Sequence, residues 1–124
     1  MEAESLNIPA VVAGAVAAFL AGWVIYHPRV FGTAWAKGSG VDLGGTPPAL
    51  AFATQIGGLI ALALVIGMTA TVSFLGTALL AIVAAAALVV SGGAFAGKSG
   101  KALAVDGGYI VVAGILMILA QGAL

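Results

Sequence analysis

The sequence predicts an all-α integral membrane protein, with four transmembrane helices in an antiparallel bundle and a short interfacial helix after the first span. Three observations carry this. Hydrophobic residues make up 63% of the 124 residues and charged residues only 6%, with a mean hydropathy of +1.26, whereas a soluble domain keeps about a quarter of its residues charged. Uncharged apolar stretches recur at the length of about 20 residues that crosses a hydrocarbon core of about 30 Å. All four Lys and Arg residues fall in two of the intervening segments.

The first span covers about 8–27. Glu2 and Glu4 precede it and no Lys or Arg does, so the basic n-region of a secretory signal is missing and the span is expected to be retained. Ala10, Gly14, Ala18 and Gly22 repeat every four residues and make one smooth face for close helix approach. Beside them lies a second small-residue line, Ala13, Ala17 and Ala21. One line suits a neighbouring helix of the same chain, and the other either a second such neighbour or another copy.

The span ends at Pro28, which disfavours α geometry at His27. Trp23 and Tyr26, three residues apart on one face, suit the aromatic belt at the membrane surface. Arg29 follows, and Val30, Phe31, Ala34 and Trp35 then cluster on one side of a helical wheel, which predicts an interfacial helix over about 30–37. His27 is the single histidine and the chain has no cysteine, so no metal-binding set is expected.

A glycine-rich loop closed by Pro47 and Pro48 leads to the second span, at about 49–71. No charge occurs between Leu43 and Gly97. That stretch is too long for one span and fits two, the third at about 74–96, with Thr69, Thr71 and Ser73 supplying the tight turn of a helical hairpin. Ala53, Gly57 and Ala61 repeat the small-residue spacing, so Gly57 is expected in a helix contact. Gln55 is expected to face another helix, because an amide exposed to lipid lacks a hydrogen-bond partner.

Gly92 and the run Gly97-Lys98-Ser99 match the spacing of a phosphate-cradling loop. The match ends an apolar span rather than a sheet strand, and no nucleotide is expected. Gly97 and Gly100 read instead as a helix stop, with Lys98 and Lys101 among head groups. The fourth span is placed at about 106–122. Asp106 opens it as a cap for the first-turn N–H groups, favoured over a functional acid, and Tyr109 suits the interface. Trp35-Ala-Lys-Gly-Ser-Gly and Phe95-Ala-Gly-Lys-Ser-Gly, each followed by Val-Asp and a glycine pair, echo one another. Two parallel halves fit this echo, as does chance in a chain so rich in glycine and alanine.

Trp23, Tyr26, Pro28, Phe31-Gly32, Trp35 and Lys37, together with Asp106, Gly108 and Tyr109 at the last helix, resemble a family of small bacterial four-span membrane proteins of unknown function. That family is marked by Trp-Tyr-x-Pro-x-x-x-Phe-Gly-x-x-Trp after the first helix. Here Val24-Ile25 separate Trp23 from Tyr26. The resemblance implies a four-helix protein of the bacterial cytoplasmic membrane and supplies no activity, cofactor or partner.

Two functions are open from sequence. The favoured one is a non-enzymatic structural or accessory subunit that self-associates or packs into a larger membrane complex through small-residue faces built from Gly14, Ala17, Ala18, Gly22 and Gly57. The alternative is a small transporter or channel for an apolar or weakly polar solute. Mid-membrane polar groups would favour the alternative. No catalytic set can be assembled, no cofactor is expected, and net charge zero with four scattered basic residues gives no footprint for nucleic acid. Basic residues in short loops remain cytoplasmic, which predicts both basic loops inside and both termini outside.

Overall fold

The computed structural model describes residues 5–42, 44–45, 47–72 and 75–124. Glu2, Glu4, Ser73 and the expected start of the third span at Phe74 lie outside the described residues. Among the described residues four helices are long and apolar enough to cross a membrane: α1 (Ile8–Ile25), α3 (Ala49–Ala70), α4 (Leu75–Phe95) and α5 (Gly100–Ala123). At 1.5 Å per residue the 22 residues of α3 span about 33 Å. Short α2 (Thr33–Ser39) follows α1 by way of a π-helical turn, Pro28–Gly32.

The helices are bounded by local chemistry. The Asn7 side chain accepts the Ala10 N–H at the start of α1. At its end His27 is extended, and its Nδ1 accepts the Arg29 N–H. The Gly32 N–H reaches the His27 carbonyl at 3.0 Å, a five-residue step that widens the turn. A Cβ at Gly32 would collide with the Tyr26 carbonyl, so the tight reversal requires glycine there. Gly97 closes α4 with a φ of 82°, and Ser99 caps α5 by accepting the Ala102 N–H.

The last helix therefore begins at Gly100, one and a half turns before Asp106. Asp106 is not its cap; Ser99 is, and Asp106 lies inside the helix with its side chain free for tertiary contacts. Gly92 to Phe95 form the last turn of α4, so the phosphate-loop spacing sits on helix, not on a strand followed by a loop.

Helix α5 is the centre of the bundle and packs most heavily on α1. The line Ala10, Gly14, Ala18 and Gly22 is buried. A Cβ on Gly14 would sit 3.0 Å from the Met117 backbone, and one on Gly22 would sit 2.9 Å from the Tyr109 ring. On the other side of α5, a Cβ on Gly107 would lie 2.8 Å from Val90 of α4. Close approach through missing side chains is how apolar helices gain contact when lipid solvates their outer faces equally well. Large apolar side chains such as Leu80, Leu88 and Phe95 point outward, as lipid permits. Ala13, Ala17 and Ala21 are half-buried, whereas Ala53, Gly57 and Ala61 are exposed. Among the described residues nothing approaches within 4 Å of a Cβ placed on Gly57, and α3 makes its own contacts through Leu59, Ala63, Ile66 and Gly67.

Candidate polar centre and aromatic recess

Along α5 the buried residues Ala102, Asp106, Tyr109, Ala113 and Met117 are spaced three or four apart and form one inward stripe. That stripe places Asp106, 7% exposed, at the junction of α1, α2 and α5. Three donors meet its carboxylate. Tyr26, which caps the C-terminus of α1, donates its hydroxyl to Oδ1 at 2.5 Å. Trp35 of α2 donates its indole N–H to the same oxygen at 2.9 Å. Lys98, just before α5, places Nζ 2.8 Å from Oδ2.

The rings around this carboxylate also pack on each other. Tyr26 meets Trp35 edge to face at 5.1 Å between centroids and Tyr109 at 5.6 Å. Lys98 Nζ stands 5.2 Å from the centre of the Trp35 ring, a distance at which the ring face attracts a cation. An isolated carboxylate here would cost several kcal/mol. With both oxygens occupied and a lysine beside it, the cluster is neutral and satisfied. Each hydrogen bond to the charged group contributes roughly 1.5–3 kcal/mol.

Tyr109 makes a second connection. Its hydroxyl donates to the Ala18 carbonyl at 3.0 Å and accepts from Gln55 Nε2 at 3.3 Å, joining α5 to α1 and α3. Gln55 thus faces another helix, as its amide requires. The two echoing segments also touch: the Ser99 N–H donates to the Gly38 carbonyl at 2.9 Å.

Beside this centre opens a recess of about 660 Å³, within the few hundred to about 1,000 Å³ usual for small-molecule sites. Phe19, Trp23, Tyr26, Trp35, Phe52 and Tyr109 surround it, with Gln55 in the wall and His27 at the end of α1. A smaller cavity, about 260 Å³, lies toward the other end between Ile66, Thr69 and Gln121. Between the two, Ala63, Ala113 and Met117 are almost fully buried.

Of the residues singled out from sequence, the fold gathers Tyr26, Trp35, Asp106, Tyr109 and Gln55. Trp23 is 71% exposed at the rim of the recess, and Phe31 also faces outward. Pro28 and Gly32 shape the turn between α1 and α2. Trp35 is anchored by Asp106 rather than lying only against head groups. Lys98 belongs to the centre and was not a sequence candidate. Lys98 and Lys101 both precede the only acid of the last apolar stretch, and nothing in their spacing says which of the two turns back to it.

Among the described residues no group of three or more His, Cys, Asp or Glu side chains is placed to hold a metal ion. No curated protein and no solved structure matches the chain. A family model does match, over residues 9–122, and the chain belongs to the family described as "Protein of unknown function (DUF1761)".

Proposed function

We propose that this is a non-enzymatic component of a bacterial cytoplasmic membrane, which self-associates or packs into a larger membrane complex through helix faces its own bundle leaves outward. The observation that carries this reading is the use made of Asp106. Its two oxygens are taken up by Tyr26, Trp35 and Lys98, so the buried charge pair fastens helices together instead of standing ready for a substrate. The outward line Ala53, Gly57 and Ala61 and the half-buried line Ala13, Ala17 and Ala21 give a further helix room to approach.

Cross-linking in native membranes tests this directly. A species larger than the monomer is expected, weakened by Ala17→Leu or Gly57→Leu while the monomer keeps its melting temperature. Monomer alone, with both variants silent, contradicts it.

The recess lends some support to the alternative, a small transporter or channel for an apolar or weakly polar solute. The layer of Ala63, Ala113 and Met117 beneath it favours binding over passage. For orientation, Tyr26, Trp35 and Lys98 meet at Asp106, which supports a single end of the bundle carrying Arg29, Lys37, Lys98 and Lys101. That end would face the cytoplasm, with both termini outside.

A further inference from the structure

We infer that the aromatic recess is a binding site for an uncharged membrane lipid whose head is a planar ring bearing carbonyl or hydroxyl oxygens. The recess is walled by the last two turns of α1, from Phe19 to Tyr26, and the first two turns of α3, from Ala51 to Gln55. Both are span ends, which places the site at the boundary between hydrocarbon and head groups. Trp23 and Phe52 at its rim are exposed, so it opens toward the bilayer, where amphiphiles already lie with their heads at this depth.

The wall chemistry narrows the occupant. Among the described residues no Asp, Glu, Lys or Arg lines the recess. Asp106 and Lys98 lie behind Tyr26 and Trp35 and bind each other, so neither a cationic nor an anionic head finds a counter-charge. Six aromatic side chains favour a flat ring, which gains from stacked or edge-on contact beyond simple area burial. At a volume of about 660 Å³ the recess takes a ring and the first part of a tail, leaving the rest in lipid.

Two polar groups suit ring oxygens. Tyr109 uses one N–H of the Gln55 amide, which leaves the carbonyl and the second N–H to accept from a hydroxyl or donate to a carbonyl. At the mouth, His27 Nδ1 accepts the Arg29 N–H, so in the neutral ring the proton is on Nε2, a donor. Tyr109, whose ring packs directly on Gly22, closes the inner side.

The test uses intrinsic tryptophan fluorescence of the full chain in detergent micelles, titrated with a dimethoxy-methyl-benzoquinone carrying a decyl tail. Bound quinone rings quench nearby indoles, and both Trp23 and Trp35 border the recess. Saturable quenching is expected in the wild type. Ala51→Phe, which fills the recess, should abolish the saturable part, and Gln55→Leu should weaken the apparent affinity roughly five- to tenfold, the loss of one hydrogen bond. Ala51→Phe should keep the wild-type melting temperature, whereas Gln55→Leu also removes the amide hydrogen bond to Tyr109 and should lower it slightly. Quenching that rises linearly and equally in all three proteins is partition into micelles and overturns the site. Saturation abolished by Ala51→Phe but unmoved by Gln55→Leu overturns the recognition of ring oxygens and leaves a recess that holds a flat ring by aromatic contact alone.

Discussion

Tyr26 and Asp106, 80 residues apart in the chain, are joined by a 2.5 Å hydrogen bond that ties the end of the first span to the second turn of the last. Around that bond Trp35 and Lys98 complete a closed set of partners. Removing the carboxylate leaves a partly buried lysine and two ring donors without an acceptor. Asp106→Ala is expected to destabilise the bundle by roughly 3 kcal/mol. Asp106→Asn retains an acceptor and should cost less. Melting in mild detergent, followed by circular dichroism, checks the order wild type, Asp106→Asn, Asp106→Ala.

Two glycines give opposite expectations for the same substitution. A methyl at Gly22 meets the Tyr109 ring at 2.9 Å, so Gly22→Ala must displace a ring that is hydrogen-bonded at its far end, at about 1–3 kcal/mol. Gly57 has open space around it. Gly57→Ala should therefore leave the melting temperature unchanged or raise it slightly, because alanine favours the helix by up to about 1 kcal/mol. Thermal melts of the pair separate buried from outward small-residue faces.

The two tryptophans should report different surroundings. In a Trp23→Phe background the remaining Trp35, bonded through its indole to Asp106, is expected to be poorly quenched by aqueous iodide. It should be quenched by lipids brominated near the head group more than by those brominated deep in the tails. Adding Asp106→Ala releases the indole and should raise iodide quenching severalfold.

Much of the fold was legible because lipid imposes a simple rule: spans are long uncharged apolar runs, and the segments between them carry the charges. The small-residue line on α1 was readable for the same reason. The start of α5 was not. Asp106 followed by two glycines resembles a helix opening, and the lysines before it resemble a loop, yet Gly97 reverses the chain and Ser99 caps the helix at once. The polar centre needed knowledge the sequence does not hold, namely that α2 folds back so that Trp35 reaches α5. Tyr26, Trp35 and Asp106 were each visible as unusual residues, but their meeting point is a tertiary fact. Gly57 shows the converse limit, since a small-residue spacing marks where a helix can be approached and not whether its own chain does so.

The orientation proposed from charge placement has a direct test. A reporter fused after Leu124 that is active only outside the cytoplasm, together with cytoplasm-only labelling of a Lys101→Cys variant, is the expected pair of results. The chain has no cysteine of its own, so the label reads a single position. Cytoplasmic activity of the fusion would reverse the assignment.

The most direct measurement is a double-mutant cycle between Tyr26→Phe and Asp106→Ala, read as unfolding free energy in detergent. If the two side chains hold α1 to α5 as described, the substitutions are non-additive, with a coupling of about 1–3 kcal/mol. Additive effects within about 0.5 kcal/mol would mean that Tyr26 and Asp106 act independently, contradicting a polar centre that fastens the bundle.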